Sequence, residues 1–220
     1  MPLDEEAELS PPAIHALKAA ELVIAESRKV AFPYLKQAGG TEGKQIFLLD
    51  PPRDEVKTEI KAALKSLKIR GGNAALFSDV GMPLLFDPGR EVLHWARELD
   101  YEVKSIAGPT SWGMAAALSG FEPPFHLLGF LARDPGDRRK QLSELRTLKA
   151  HLILMDTPYR FKPLLEQSRE VLGGKREAFL AWEIAKPSER LLWGSLEQLE
   201  KLTRSTGMQK GEFVLVVKKS

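Results

Sequence analysis

The chain has no cysteine among its 220 residues, which excludes disulfide frameworks, thiolate zinc sites, iron–sulfur clusters and cysteine nucleophiles. It also lacks any apolar run approaching the ~18 residues that a membrane span needs. Its opening residues, Met1-Pro2-Leu3-Asp4-Glu5-Glu6, carry no basic patch followed by an apolar stretch. By these signals it is expected to be cytoplasmic, neither secreted nor membrane-spanning. An excess of one charge is missing too. Thirty-two Lys and Arg against 30 Asp and Glu leave +2, far from the imbalance that by itself marks a nucleic-acid binder. His15, His94, His126 and His151 stand too far apart for metal-ligand spacing, so no metal centre is expected. No glycine fingerprint of the dinucleotide-binding kind follows a strand pattern. Gly39-Gly40-Thr41-Glu42-Gly43-Lys44 is one residue short of a phosphate-binding loop, has Gln45 where Ser or Thr is needed, and precedes a strand. It reads as a turn.

Hydrophobic residues make up 43% and charged residues 28%, a globular balance with enough apolar surface for a core. Ser10-Pro11-Pro12 opens a helix, because a serine cap followed by prolines removes or satisfies donors that a helix start leaves unpaired. Short apolar runs at Leu22–Ala25, Ile46–Leu49, Ala74–Phe77 and Val103–Ile106 alternate with helical patterns, which predicts a mainly parallel sheet with flanking helices. The second half continues with strands at Phe125–Leu131, His151–Met155, Ala178–Ile184, Arg190–Trp193 and Phe213–Val217. Helices are expected near Arg138–Leu148, Phe161–Leu172 and Leu196–Leu202. The third and fourth of these strands are separated by only Ala185-Lys186-Pro187-Ser188-Glu189, which suits a hairpin and predicts a mixed α/β sheet. Gly120-Phe121-Glu122-Pro123-Pro124 is the junction richest in breakers, so two α/β domains are expected, 1–120 and 121–220.

Three predicted strand ends carry irregular segments where a helix could begin at once. The first is Ser78-Asp79-Val80-Gly81-Met82-Pro83 with the following Asp87-Pro88-Gly89. Ligands in open parallel sheets bind outside the carboxyl ends of strands. A helix cap accounts for Asp87 but not for the residues before it. The second is Gly108-Pro109-Thr110-Ser111, entering the small-residue helix Gly113–Ser119, whose start offers free N–H groups. The third is Met155-Asp156-Thr157-Pro158-Tyr159-Arg160.

Together with Ala25-Glu26-Ser27-Arg28-Lys29, Glu183-Ile184-Ala185-Lys186 with Glu189, and Gly211-Glu212-Phe213-Val214-Leu215-Val216, these segments resemble the tetrapyrrole methylase superfamily. The likeness runs over nearly all of the chain and is closest to the branch that methylates a ribose 2′-hydroxyl in small-subunit ribosomal RNA. Lys29 stands where that family usually has arginine, Trp112 where it has a small residue, and Ala185 where a hydroxyl is common. The family begins with a strand and a Pro/Gly-rich loop, and this sequence aligns from just after them, so the first sheet is expected to lack an inner strand.

What the resemblance implies is an S-adenosylmethionine-dependent methyltransferase with the cofactor in a cleft between two domains, the N-terminal one on the substrate side and the C-terminal one on the cofactor side. The cofactor-binding residues it implies are Ser78, Asp79, Val80, Gly81, Met82, Pro83, Pro109, Thr110, Ser111, Met155, Asp156, Thr157, Trp182, Glu183, Ile184 and Glu212. Glu183 and Asp79 are the catalytic candidates. Lys29, Arg138, Arg139, Lys140 and Arg160 are the substrate-binding candidates, and Arg133 with Arg138-Arg139-Lys140 forms the densest basic cluster, suited to RNA phosphates. Ribosomal RNA is the expected partner, in a homodimer without a metal. A methyltransferase for a small tetrapyrrole-like substrate and a non-catalytic cofactor-binding relative remain as alternatives.

Overall fold

The computed structural model describes residues 1–4 and 7–220. The chain divides into two compact units, Met1–Pro109 and Thr110–Ser220.

The first unit is built on three parallel strands, β1 (Leu22–Ala25), β2 (Gln45–Leu48) and β3 (Ala74–Phe77), in the order β2-β1-β3. All four residues of the central β1 are buried, and the alternation of side chains along a strand sends them to two cores. Val23 and Ala25 pack with Leu17 of helix α1 (Pro11–Ala19) and with Val30, Tyr34 and Leu35 of α2 (Arg28–Gln37). Leu22 and Ile24 pack with Ile60, Leu64 and Leu67 of α3 (Asp54–Arg70) and with Val92 of α4 (Arg90–Glu98). Ser10 caps α1 through a bond from the Ala13 amide, as its sequence predicts. The glycine segment after α2 is a turn: Gly39, Gly40 and Gly43 all have positive φ, and the Gly40 amide donates to the Leu35 carbonyl at 2.8 Å.

The expected strand at Val103–Ile106 does not form. A strand exists through its ladder, and no described residue pairs with this stretch. Val103 and Ile106 are 54% and 39% exposed, so the apolar residues of this stretch are not buried as strand residues would be.

The second unit holds a five-stranded mixed sheet in the order β4-β5-β8-β6-β7. Its strands are β4 (Phe125–Leu127), β5 (His151–Met155), β6 (Glu177–Trp182), β7 (Arg190–Ser195) and β8 (Phe213–Val217). Only β4 and β5 run parallel; β6 and β7 form the expected hairpin. Alternate residues Leu152, Leu154, Leu180, Leu215 and Val217 face one core with Leu142 of α6 (Pro135–Leu145), Phe161, Leu164 and Leu165 of α7 (Phe161–Leu172), and Leu196 and Leu199 of α8 (Leu196–Ser205). The intervening Ile153, Phe179, Ala181, Val214 and Val216 are buried as well. Helix α5 (Ser111–Ser119) packs along β5, β6 and β8. The division therefore falls before α5, earlier than the expected boundary at Gly120, because the small side chains of α5 let its backbone lie close to the second sheet.

Candidate active site

In the first unit the parallel strands bring Ala25, Leu48 and Phe77 into register at one edge. The loops leaving that edge are tied to each other. The Ser27 amide donates to Asp79 Oδ1 at 3.0 Å, and the Asp79 amide donates to Glu26 Oε2 at 3.0 Å. Each carboxylate thus holds the other loop's backbone. Burial raises the Glu26 carboxyl above the ordinary range, opposed by the bond from the Asp79 amide and reinforced by the charges of Asp79, Asp87 and Asp50. Burial also raises Asp87. Ser78 is buried and its hydroxyl donates to the Val80 carbonyl at 3.0 Å. Gly81, at φ +65, is where the loop turns: a Cβ there would lie 3.2 Å from the Pro109 carbonyl oxygen and 3.1 Å from Leu3. Met82 is 48% exposed, Pro83 is half-buried, and Arg90 Nε donates to the Leu84 carbonyl at 3.0 Å. Of the sequence-named residues in this unit, Ser78–Pro83 and Pro109 therefore form one cluster. Lys29 is exposed in the first turn of α2.

In the second unit β8 runs antiparallel to both β5 and β6, with Met155 opposite Val214 and Trp182 opposite Phe213. That topology places Met155-Asp156-Thr157, Trp182-Glu183-Ile184 and Glu212 at one sheet edge. Beneath it, the Phe161 ring meets Trp182 and Phe213 edge-on at 4.8 and 4.9 Å. Glu183 adopts φ +49, its amide donates to the Glu212 carbonyl at 2.8 Å, and its carboxylate accepts the Glu212 amide. Lys186 reaches Glu212 at 2.9 Å and Glu183 at 3.3 Å. Burial lowers the Lys186 pKa, but the hydrogen bonds and charges of Glu212 and Glu183 outweigh it and the net shift is upward. Gly211 permits this packing, since a Cβ would fall 2.3 Å from Trp182 Cζ2 and 2.7 Å from Glu183 Oε1.

The Asp156 side chain is wholly buried and pairs with Arg160 at 3.1 Å through Oδ1. Its Oδ2 is buried with no partner among the described residues. Arg160 also donates to the carbonyls of Leu131 at 3.0 Å and Ala132 at 2.6 Å, so its guanidinium is bound within the fold. Thr110 and Ser111 stand at the start of α5, where Thr110 makes no side-chain cap bond.

The basic cluster is not the open patch its sequence suggests. Arg138 is 4% exposed and donates to Gln167 Oε1 at 2.5 Å and to the carbonyls of Ala132 and Arg133; burial lowers its pKa from the ordinary arginine value. Arg139 pairs with Glu170 at 2.7 Å. Arg133 and Lys140 are exposed. A signal for this was present: Arg138, Leu142 and Leu145 share one helical face. Glu26 and Gly211, outside the residues named from the sequence although both lie in segments it singled out, also contact the candidate clusters. No group of three or more possible metal ligands occurs among the described residues.

Residues 1–200 match the tetrapyrrole (corrin/porphyrin) methylases. The chain belongs to the tetrapyrrole methylase family. It is 30% identical over 214 residues to the ribosomal RNA small subunit methyltransferase I of Leptospira borgpetersenii, covering 96% of this chain and 82% of that protein. The protein of the same name from Xylella fastidiosa is 30% identical over 218 residues, 98% of this chain and 78% of that one. The Micromonospora olivasterospora protein reaches 37% over 155 residues, 70% of this chain and 49% of that one. Among solved structures, cobalt precorrin-4 methyltransferase, a cobalamin biosynthetic enzyme, superposes with a TM-score of 0.65 at 17% identity over 94% of this chain and 88% of that one. The methyltransferase CobJ gives 0.63 at 18% identity over 97% and 89%. These superpositions establish the shared fold. As a tetrapyrrole methylase the protein is a methyltransferase, and the family implies a methyl donor of the S-adenosylmethionine type.

Proposed function

We propose that this protein transfers a methyl group from S-adenosylmethionine to a ribose 2′-hydroxyl of small-subunit ribosomal RNA. The observation that carries the reading is the 30% identity, over 96% of the chain, to a ribosomal RNA small subunit methyltransferase I.

The residues present suit such a donor. Its adenosine, carboxylate and sulfonium call for backbone donors and acceptors more than for side-chain charge, and loops at strand ends supply them. The residues this reading assigns to holding the donor are Ser78–Pro83, Pro109, Thr110-Ser111, Met155–Thr157, Trp182–Ile184 and Glu212. Asp156 Oδ2, buried and without a partner among the described residues, is an acceptor suited to a ligand N–H. Bound there, the donor supplies a methyl group on a sulfonium, an already good leaving group. The protein's work is then alignment, and orientation of reactants contributes on the order of 7–11 kcal/mol.

A ribose hydroxyl must also give up its proton. Asp79 uses Oδ1 for the Ser27 amide, while its Oδ2 accepts no hydrogen bond from a described residue, so Asp79 is the better placed of the two catalytic candidates. Glu183, engaged by the Glu212 amide and Lys186, serves mainly to hold its loop. Lys29, Arg133 and Lys140 are exposed cations that suit RNA phosphates. A homodimer belongs to the same reading, and sedimentation at micromolar concentration tests it.

The test is transfer of a labelled methyl group from S-adenosylmethionine to small-subunit ribosomal RNA, followed by mass analysis of the nucleosides. A 2′-O-methylnucleoside is expected. Label on a base, or on a small tetrapyrrole and not on RNA, overturns the reading.

A further inference from the structure

Helix α2 leaves the same strand end that carries the Glu26–Asp79 lock, and its outer face combines cations with an aromatic. Arg28, Phe32 and Lys36 are spaced four residues apart and so fall on one side of the helix. Arg28 and Lys36 are exposed and Phe32 is half-buried. The Arg28 guanidinium lies over the Phe32 ring, 4.3 Å from its centroid. Beside it opens a groove of about 570 Å³ lined by Phe32, Pro33, Lys36, Gly40 and Thr41. Neither Arg28 nor Lys36 forms an ion pair with a described residue. Of the acidic residues, Glu42 is exposed and follows Thr41 in the chain, the half-buried Glu26 precedes α2, and the exposed Glu8 adjoins Leu9, whose amide donates to Gln37 Oε1 of α2 at 3.0 Å. Lys18 and Lys44 add positive charge, Lys44 donating to the carbonyls of Lys18 and Ala20 at 3.0 and 2.7 Å.

We infer that this face of α2 is a binding surface for single-stranded RNA, with a base stacked at Arg28 and Phe32 and the neighbouring phosphates on Arg28 and Lys36. The inference rests on the RNA reading of the function and adds to it a surface that the basic run at Arg138–Lys140 does not supply. Charge complementarity selects the occupant. A purely apolar ligand would leave the two exposed cations unused, whereas a polyanion carrying flat bases uses the cations, the ring and the guanidinium together. Single strands expose those base faces, and a duplex keeps them stacked inside. The glycine turn allows the strand to approach, since among the described residues no atom beyond Gly40 and its chain neighbours lies within 4 Å of the Cβ that Gly40 lacks.

The experiment measures binding of a fluorescein-labelled, mixed-sequence, single-stranded 12-nucleotide RNA across a salt series, beside its duplex. The proteins are the wild type, Arg28→Ala/Lys36→Ala and Phe32→Leu. Removing two phosphate contacts should lower the slope of log affinity against log salt by about 1.4, from the ~0.7 expected per contact on a single strand. Arg28→Lys/Lys36→Arg should restore that slope. Phe32→Leu should weaken the single strand at least about fivefold with the slope unchanged. Thermal melting and the heat of S-adenosylhomocysteine binding, both expected to stay at wild-type values, show that the variants are folded. Folded variants that bind RNA like the wild type overturn the inference while leaving the RNA reading intact. A wild type that neither binds nor methylates RNA overturns both. Equal loss for strand and duplex in Phe32→Leu overturns the stacking.

Discussion

Asp156 carries a wholly buried side chain, and Arg160 pairs with it at 3.1 Å. Truncating Arg160 to Ala leaves a buried carboxylate held, among the described residues, only by the Thr157 amide, which donates to its Oδ1 at 2.8 Å, and breaking such a pair from one side costs roughly 3–5 kcal/mol. Urea unfolding of Arg160→Ala should show a loss of about 3 kcal/mol, reduced when Asp156→Asn is added. An additive double variant would deny the coupling. Gly211 is sensitive for a steric reason. Its missing Cβ would lie 2.3 Å from the Trp182 ring, so Gly211→Ala should cost about 1–3 kcal/mol and weaken S-adenosylhomocysteine binding in calorimetry, because the Trp182–Glu183 turn must move. Full-strength binding would separate that turn from the donor. Individual residues were the least legible scale in the sequence. Asp79 and Glu183 stood out as acids at strand ends, but which backbone amides they hold depends on neighbouring loops. Glu26 and Asp79 are 53 residues apart, and no local pattern announces such a bond.

Elements were read well where burial and local chemistry agree. The predicted spans of β5, β8 and α7 coincide with the observed ones, because each is a dense apolar run or face with breakers beside it. The stretch at 103–106 failed because a strand needs a neighbour as well as a pattern. Helix α6 begins before the expected Arg138, at Pro135, capped by Asp134, whose side chain accepts the Gly136 and Asp137 amides. The lock between the loops after β1 and β3 also gives a pH prediction. The folded-state pKa of Glu26 is raised, so the folded protein holds this proton more tightly than the unfolded chain. Stability is then lost as pH rises from the ordinary glutamate value, about 4.3, to the raised one. Glu26→Gln keeps an acceptor for the Asp79 amide and removes the charge. Its denaturation midpoint should equal or exceed the wild type's at pH 7, and the gap should close toward pH 4. A wild type favoured at pH 7 would contradict this.

For the molecule as a whole, each unit has a core of its own: among the described residues, apolar clusters lie wholly within Thr110–Ser220 and wholly within Met1–Pro109. A fragment spanning Thr110–Ser220 should therefore unfold in a single cooperative thermal transition by circular dichroism. A broad, featureless melt would mean that its sheet depends on the other unit. The position of β8 has a further consequence. Phe213–Val217 is the latest of the described strands in the chain, yet it sits in the middle of its sheet between β5 and β6. During translation, β5 and β6 emerge from the ribosome with no ladder between them, each presenting an open edge of the kind that promotes aggregation. The nascent second unit thus cannot close its sheet, or bring Met155 and Trp182 to one edge, until Phe213–Val217 has left the exit tunnel. A premature stop codon before Phe213 should yield a chain that chaperones and proteases recognise as unfinished.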